Sequence, residues 1–271
     1  MSNSQSQSGH YGRRKHYIPL ESNPEVFTEL IHTLGVSSSL SFQDVYSLDD
    51  PDLLSLVPRP VLGLVLIFPA MEDYDKVLDE DKKNRPNYTG KGENEPVIWF
   101  EQTIGNACGL YALLHCICNG PARQYLSEHL QYQFATIVIH IRVITTEPDS
   151  TMSNLLTKCV PLDPLERALA LEASEEVEYA HAHAGKSGYT AAPDPRDNVE
   201  HHYVAFVTSD KQTGEVYEMD GMKQGPLKTE VTLKEEEDLL SEAGQKLIKR
   251  FIEREQGRSI GFSLMALVKT E

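Results

Sequence analysis

The stretch HHYVAFVTSDKQTGEVYEMDG, residues 201–221, decides the fold class. Its first part, HHYVAFVTS, is rich in aromatic and β-branched residues, and GEVYEMDG reads the same way. DKQTG between them has the polar residues and the glycine of a turn. Two strands joined this tightly pair antiparallel, because a parallel pair needs a crossover of about a dozen residues or more.

Other elements follow outward from this hairpin. PVLGLVLIFPA (60–70) is β-branched, bounded by prolines and too short to span a bilayer, so it reads as a buried central strand. SIGFSLMALVK closes the chain as another apolar strand. NPEVFTELIHTLGV predicts a helix capped by Asn23, with Pro24 in its first position and Gly35 at its end. SFQDVYSLDDPDLLSLVPRP reads as a short strand and a one-turn helix. Residues 70–96 begin as a charged helix and end as an exposed loop. VIWFEQ (97–102) looks strand-like, and 108–118 has the composition of a buried helix. Residues 162–180 predict one amphipathic helix and 233–256 a charged one over the apolar stripe Leu239, Leu240, Leu247, Ile248 and Phe251. Residues 181–198, with two Gly and two Pro, read as a long irregular loop. Helices and strands are mixed, no internal repeat is visible, and the chain reads as one α/β or α+β domain. Residues 1–15 read as a disordered tail and 16–271 as the domain.

Composition narrows the partners. Among 271 residues, 41 are acidic and 25 basic, a net charge of −16. Such a surface repels nucleic acid and anionic membranes and favours a basic protein partner. Four cysteines (108, 116, 118 and 159) are too few and too clustered for a disulfide framework, which points to a reducing compartment. No signal peptide opens the chain. A soluble, cytoplasmic protein is expected, with the nucleus also open to it, and a monomer. His115, Cys116 and Cys118 lack a second ligand pair for zinc. His181 and His183 read as solvated loop histidines, so neither metal nor cofactor is expected. Trp99 reads as core packing under the loop that follows it.

EQTIGNACGLYALLHCICN (101–119) holds the candidate chemistry. Gly105 and Asn106 break the chain, and Cys108 opens a helix, where free N–H groups and the positive dipole end stabilise a thiolate. A histidine at 201–202 and Asp220 sit on the two arms of the hairpin and can meet at one end. The carboxylate is then expected on Nδ1 of the imidazole, with Nε2 facing the sulfur. The Cys108 N–H and the Gln102 side-chain amide are candidate donors to an oxyanion. The residues alone leave a second reading open, in which the thiol is buried and inert and the histidine only structural.

QTIGNACG resembles the nucleophile motif of the ubiquitin carboxy-terminal hydrolase family of thiol proteases. HHYVAFV is similar to the strand bearing that family's histidine, and VYEMDG to the segment with its aspartate. YIPLESNPEVF, the run from FQDVYSL to LIFP, and GFSLMALV extend the likeness from about Tyr17 to Val268. The likeness is to the short, single-domain type with a fungal or yeast-like member as its nearest image. It implies Cys108 as nucleophile, His202 as general base and proton donor, Asp220 as the residue orienting it, and Gln102 as oxyanion stabiliser. His202 rather than His201 is assigned because the family places an aromatic residue after its histidine, here Tyr203.

The resemblance also implies a central, mostly antiparallel six-stranded sheet flanked by helices on both sides, with a papain-like core and a knotted path. It implies cleavage of amide, ester or thioester bonds at the C-terminal glycine of ubiquitin or a ubiquitin-like protein. Residues 181–198 resemble the crossover loop that arches over the family's active site, so small adducts and peptide tails are the expected leaving groups. The segment Tyr17 to Asn23 and this loop are expected to line the groove for ubiquitin's basic tail. A ubiquitin-binding module with little turnover is the competing expectation. SEHLQYQFATIVIHIRVITTEP (127–148) departs from the family pattern and reads as an insertion, either an intron translated in frame or a true extra element.

Overall fold

A computed structural model of the chain describes residues 15–69, 72–126, 150–197, 199–211, 213–256 and 261–270. The insertion at 127–148 and, apart from Lys15, the N-terminal tail lie outside these residues.

The expected hairpin is present. Strands β3 (His201–Thr208) and β4 (Glu215–Met219) pair antiparallel, with Ala205 opposite Met219 and Thr208 opposite Val216. Around them a six-stranded sheet forms with β1 (Leu40–Asp44), β2 (Val61–Pro69), β5 (Leu227–Thr232) and β6 (Ser263–Lys269). Its order is β1-β6-β2-β3-β4-β5, and every neighbouring pair is antiparallel.

β2 lies inside the sheet and is buried from Val61 to Phe68. Leu62, Val65 and Ile67 face one core, and Leu64, Leu66 and Phe68 face the other. Burial on both faces is why this strand reads as a continuous apolar run rather than an alternating one. The first core packs α1 (Pro24–Thr33) and α4 (Cys108–Ile117) against the sheet. The second packs Tyr74 of α3 (Glu72–Asn84) and Leu247, Ile248 and Phe251 of α8 (Glu242–Gln256) on the opposite face. The short α2 (Pro51–Leu54) leads into β2. Among the described residues no helix is long and apolar enough to cross a membrane.

α1 forms where its caps predict: the Asn23 side chain accepts from the Glu25 N–H at 2.9 Å, and Gly35 follows the helix at φ 82°. The single helix expected over 162–180 is instead two, α6 (Pro164–Glu172) and α7 (Glu175–Ala184). Ser174 is the cause: its hydroxyl accepts from the Val177 N–H and starts a new helix rather than continuing the old one. α7 runs on to Ala184, so His181 and His183 belong to its last turn and not to the loop. His181 is buried, bonded to the Ile18 carbonyl at 2.9 Å, and its ring lies tilted against that of Tyr17 at 4.7 Å, whereas His183 meets Glu29. The charged helix expected over 233–256 begins only at Glu242. β5 and α5 (Thr151–Cys159) are additions that the sequence reading did not contain.

VIWFEQ is no strand. Its residues are mostly buried, and backbone groups of it and of the next residue are bonded by side chains of α4 and of Asn119 just beyond that helix. Asn119 accepts from the Ile98 N–H at 2.6 Å and donates to the Ile98 carbonyl at 2.9 Å. His115 Nε2 accepts from the Phe100 N–H at 3.0 Å, and the Tyr111 hydroxyl accepts from the Thr103 N–H at 3.2 Å. Burial pushes the His115 imidazole down to about 3, which keeps it neutral and able to accept. Helix α4 thus carries the nucleophile candidate at its start and fixes the Gln102 loop along its side.

Candidate active site

Asn106 turns the chain at φ 56°, a left-handed conformation that asparagine tolerates better than most residues, and Cys108 then begins α4. Asn23, Asp50, Ser150, Asp163 and Ser174 cap their helices with side chains, but Ala107 gives α4 no such bond. Among the described residues no side chain caps the first-turn N–H groups of α4, which leaves them available to an anion. Cys108 is half-buried, while Cys116, Cys118 and Cys159 are buried and all four thiols are free. Burial drives the thiols of Cys116, Cys118 and Cys159 upward, the last to about 11, so all three are poor nucleophiles.

α4 packs on β3, which carries His202. His201 is exposed and His202 buried, because neighbours on a strand face opposite ways. His202 Nε2 donates to Asp220 Oδ1 at 3.0 Å. This corrects the expected ring orientation. Asp220 sits just beyond β4, across the inter-strand gap, and the far nitrogen of the ring is the one that spans it. Nδ1, beside the Cβ, is left for the sulfur on the helix that packs over β3.

Asp220 is held from all sides. Oδ1 also accepts from the Met222 N–H at 2.9 Å, Oδ2 accepts from the Tyr74 hydroxyl, and its backbone carbonyl accepts from Trp99 Nε1–H at 3.0 Å. Trp99 is buried as expected, and it has this added polar contact. The rings of Tyr74 (5.0 Å) and Phe68 (5.7 Å, edge-on) enclose the imidazole. Tyr74 is a site contact that sequence reasoning missed, since nothing in EDYDKV points to the end of a strand in the hairpin.

The electrostatics follow from this enclosure. Burial acts to lower the His202 pKa, but the Asp220 charge and hydrogen bond, with Cys108 adding as bonding partner and charge, outweigh it and raise it to about 10. Burial likewise works to raise Asp220, yet His202, Lys223 and Tyr74 hold its carboxyl well below the usual range. His202 is thus an imidazolium at neutral pH. Its folded value lies above the ordinary 6.5, so its contribution to stability is complete below 6.5 and is lost as pH rises toward about 10. The stability gap between the wild type and His202→Gln is therefore expected to shrink over that window in urea titrations. A gap that widened with pH would contradict the charged pair.

The Gln102 N–H bonds the Gly221 carbonyl at 2.7 Å, which brings the glutamine loop against the aspartate loop. A Cβ on Gly221 would lie 3.0 Å from the Gln102 Cβ and 3.1 Å from the Phe100 carbonyl, so a side chain there would push the loops apart. Gln102 Nε2 donates to the Ile104 carbonyl at 3.1 Å, and its buried Oε1 has no hydrogen-bond partner among the described residues. Turning the amide over would set two carbonyl oxygens against each other, so its orientation is fixed. One Nε2 hydrogen is engaged, and the second remains for another acceptor.

The loop after α7 is fastened to this region. Asn106 Nδ2 donates to the carbonyls of Pro195 (2.9 Å) and Asp197 (2.8 Å). Glu21 accepts from the N–H (2.9 Å) and hydroxyl (2.7 Å) of Thr190. Among the described residues no group of three or more His, Cys, Asp or Glu is arranged to hold a metal.

Comparison with known proteins bears on this geometry. The model of the family described as ubiquitin carboxyl-terminal hydrolase, family 1, matches residues 17–253. The chain is 32% identical over 240 residues to a ubiquitin carboxyl-terminal hydrolase of Aplysia californica, covering 88% of this chain and 96% of that protein. It is 30% identical over 221 residues to ubiquitin carboxyl-terminal hydrolase YUH1 of Saccharomyces cerevisiae, covering 80% and 79%. Its fold resembles the Trichinella spiralis UCH37 catalytic domain, solved bound to ubiquitin vinyl methyl ester, with a TM-score of 0.64 and 21% identity over 96% of this chain and 98% of that one. An antiparallel sheet with helices on both faces, a cysteine at an uncapped helix start and a family match over most of the length agree: the chain belongs to family 1 of the ubiquitin carboxyl-terminal hydrolases.

Proposed function

We propose that this deubiquitinating thiol protease cleaves the bond after the C-terminal glycine of ubiquitin, or of a ubiquitin-like protein, with Cys108 as nucleophile. The observation that carries this reading is the His202–Asp220 bond, buried beside a cysteine at a helix start that no side chain caps. The Cys108 thiolate attacks the glycine carbonyl carbon. The oxyanion is taken up by the Cys108 N–H and the free Gln102 Nε2 hydrogen. His202, charged at neutral pH, gives its proton to the leaving amine as the C–N bond breaks, and a thioester to Cys108 remains. Neutral His202 then takes a proton from water, which attacks the thioester, and the C–S bond breaks with Cys108 leaving as the thiolate, which restores the starting pair of thiolate and charged imidazole. Asp220 keeps the imidazole oriented throughout.

The chain's acidity supports a basic tail as the recognised element. Glu21, Glu25, Glu29 and Asp44 line one open cleft of about 1020 Å³ beside the loop after α7. The Trichinella protein was solved bound to a ubiquitin derivative, and this supports ubiquitin itself as the partner. Four free thiols fit a reducing, cytoplasmic setting. The domain is taken to span 16–271 and to act as a monomer. Its leaving groups are small adducts or peptide tails. A fluorogenic amide on the ubiquitin C-terminus is expected to turn over faster than a folded ubiquitin dimer, and faster cleavage of the dimer would contradict the proposed substrate class.

A further inference from the structure

Both oxygens of the Asp220 carboxylate are engaged. On Oδ1 converge the His202 Nε2–H at 3.0 Å and the Met222 N–H at 2.9 Å. Oδ2 accepts from the Tyr74 hydroxyl. The torsion about the Cβ–Cγ bond of an aspartate is soft, so bonds on one oxygen alone set the plane of the carboxylate loosely. A donor on the second oxygen removes that freedom and keeps the in-plane lone pairs of Oδ1 aimed at the imidazole.

Tyr74 does not come from the hairpin. It lies in the first turn of α3, and the far end of α3 is tied to the loop that follows Asp220. Asp81 Oδ2 accepts from the Gln224 N–H at 2.8 Å. Arg85, just past the helix and paired with Asp81 at 2.8 Å, donates to the Pro226 carbonyl at 3.0 Å and the Gly225 carbonyl at 3.3 Å. The Tyr88 N–H donates to the Gln224 carbonyl at 2.7 Å. The helix thus meets the aspartate at one end and the aspartate's loop at the other. The Tyr74 ring is buried, lies tilted against the imidazole at 5.0 Å and meets Phe68 edge-on at 5.4 Å. Both side chains of the His202–Asp220 bond are themselves buried.

We propose that Tyr74 is a positioning residue for the reaction: its hydroxyl fixes the plane of the Asp220 carboxylate and, through it, the ring of His202 that serves Cys108. This rests on the hydrolase reading of the site. The hydroxyl acts on the carboxylate and not on the substrate, so its loss falls on the chemical step rather than on ubiquitin binding. A tyrosine oxygen that served only to satisfy its own burial would leave the imidazole undisturbed when removed.

Tyr74→Phe removes one oxygen and keeps the ring with its apolar contacts. Two readouts test it on the full chain, at a temperature where circular dichroism shows variant and wild type equally folded. With a fluorogenic amide on the ubiquitin C-terminus, kcat is expected to fall about tenfold, the factor that corresponds to one hydrogen bond to a charged group, while KM stays unchanged. The His202 Nε2–H, followed by proton NMR, exchanges with water when its bond to Asp220 opens, and is expected to exchange about tenfold faster in the variant. Unchanged exchange overturns the positioning role, and so does a raised KM with kcat retained, which would put Tyr74 on the binding surface. Faster exchange with an unchanged kcat overturns its part in the reaction. Failure of the wild type to turn over the amide sinks the hydrolase reading, whereas the exchange rates still decide whether Tyr74 holds the His202–Asp220 pair.

Discussion

Asp220→Asn is expected to lower kcat by about 10⁴-fold, the loss that follows when the orienting carboxylate of such a triad becomes an amide. The side chain keeps its size, and its neighbours explain the magnitude. In the wild type one carboxylate oxygen accepts from both His202 Nε2 and the Met222 N–H, and the other accepts from Tyr74. An amide has only one accepting atom, so one of these donors faces an N–H group. It also has no charge. Burial, which in the wild type is outweighed, then dominates the imidazole and pushes its pKa down. Two signatures should therefore appear together: a large fall in kcat, and an imidazole NMR titration moved toward acid pH. A variant with near-normal kcat, or one whose imidazole still titrated near the wild-type value, would show that Asp220 does not organise the site.

The second large effect concerns stability. Arg167→Ala is expected to cost about 3–5 kcal/mol, the range for removing one partner of a buried ion pair. The Arg167 side chain is fully buried, and the Glu95 side chain nearly so. The guanidinium meets Glu95 at 2.7 and 3.4 Å and donates to the carbonyls of Cys159, Leu162 and Trp99. Removing it strands a carboxylate whose remaining side-chain partner among the described residues is Tyr88, at 3.0 Å, together with buried carbonyls. The Trp99 carbonyl belongs to the segment whose indole holds Asp220, so the loss reaches the site through the backbone. Urea unfolding checks this, and a change below about 1 kcal/mol, the usual range for a surface pair, would contradict it.

How much was legible depended on how local the cause was. The hairpin could be read because both strands and the turn lie within one short stretch, and its register then sets His202 near Asp220. The apolar run of β2 declared itself because both of its faces are covered. β5 did not, since LKTEVT is polar and only Val231 is buried. VIWFEQ has the composition of a strand, but its partners are His115 and Asn119, side chains further along the chain. Composition cannot show that pairing. The helix over 162–180 kept its apolar period through Ala173 and Ser174, and only the capping hydroxyl betrays the break. At the site the four residue types were visible as a resemblance. The ring nitrogen that faces Asp220, the Tyr74 contact and the Asn106 anchor were not, because each depends on where distant elements meet.

The central claim is that Cys108 is an activated nucleophile aimed at the tail of ubiquitin. Intact-protein mass spectrometry after incubation with ubiquitin carrying a C-terminal electrophile tests it most directly. The account predicts one covalent ubiquitin adduct, mapped to Cys108 and absent from Cys108→Ala. Saturable ubiquitin binding without an adduct, or labelling that survives Cys108→Ala, would contradict it.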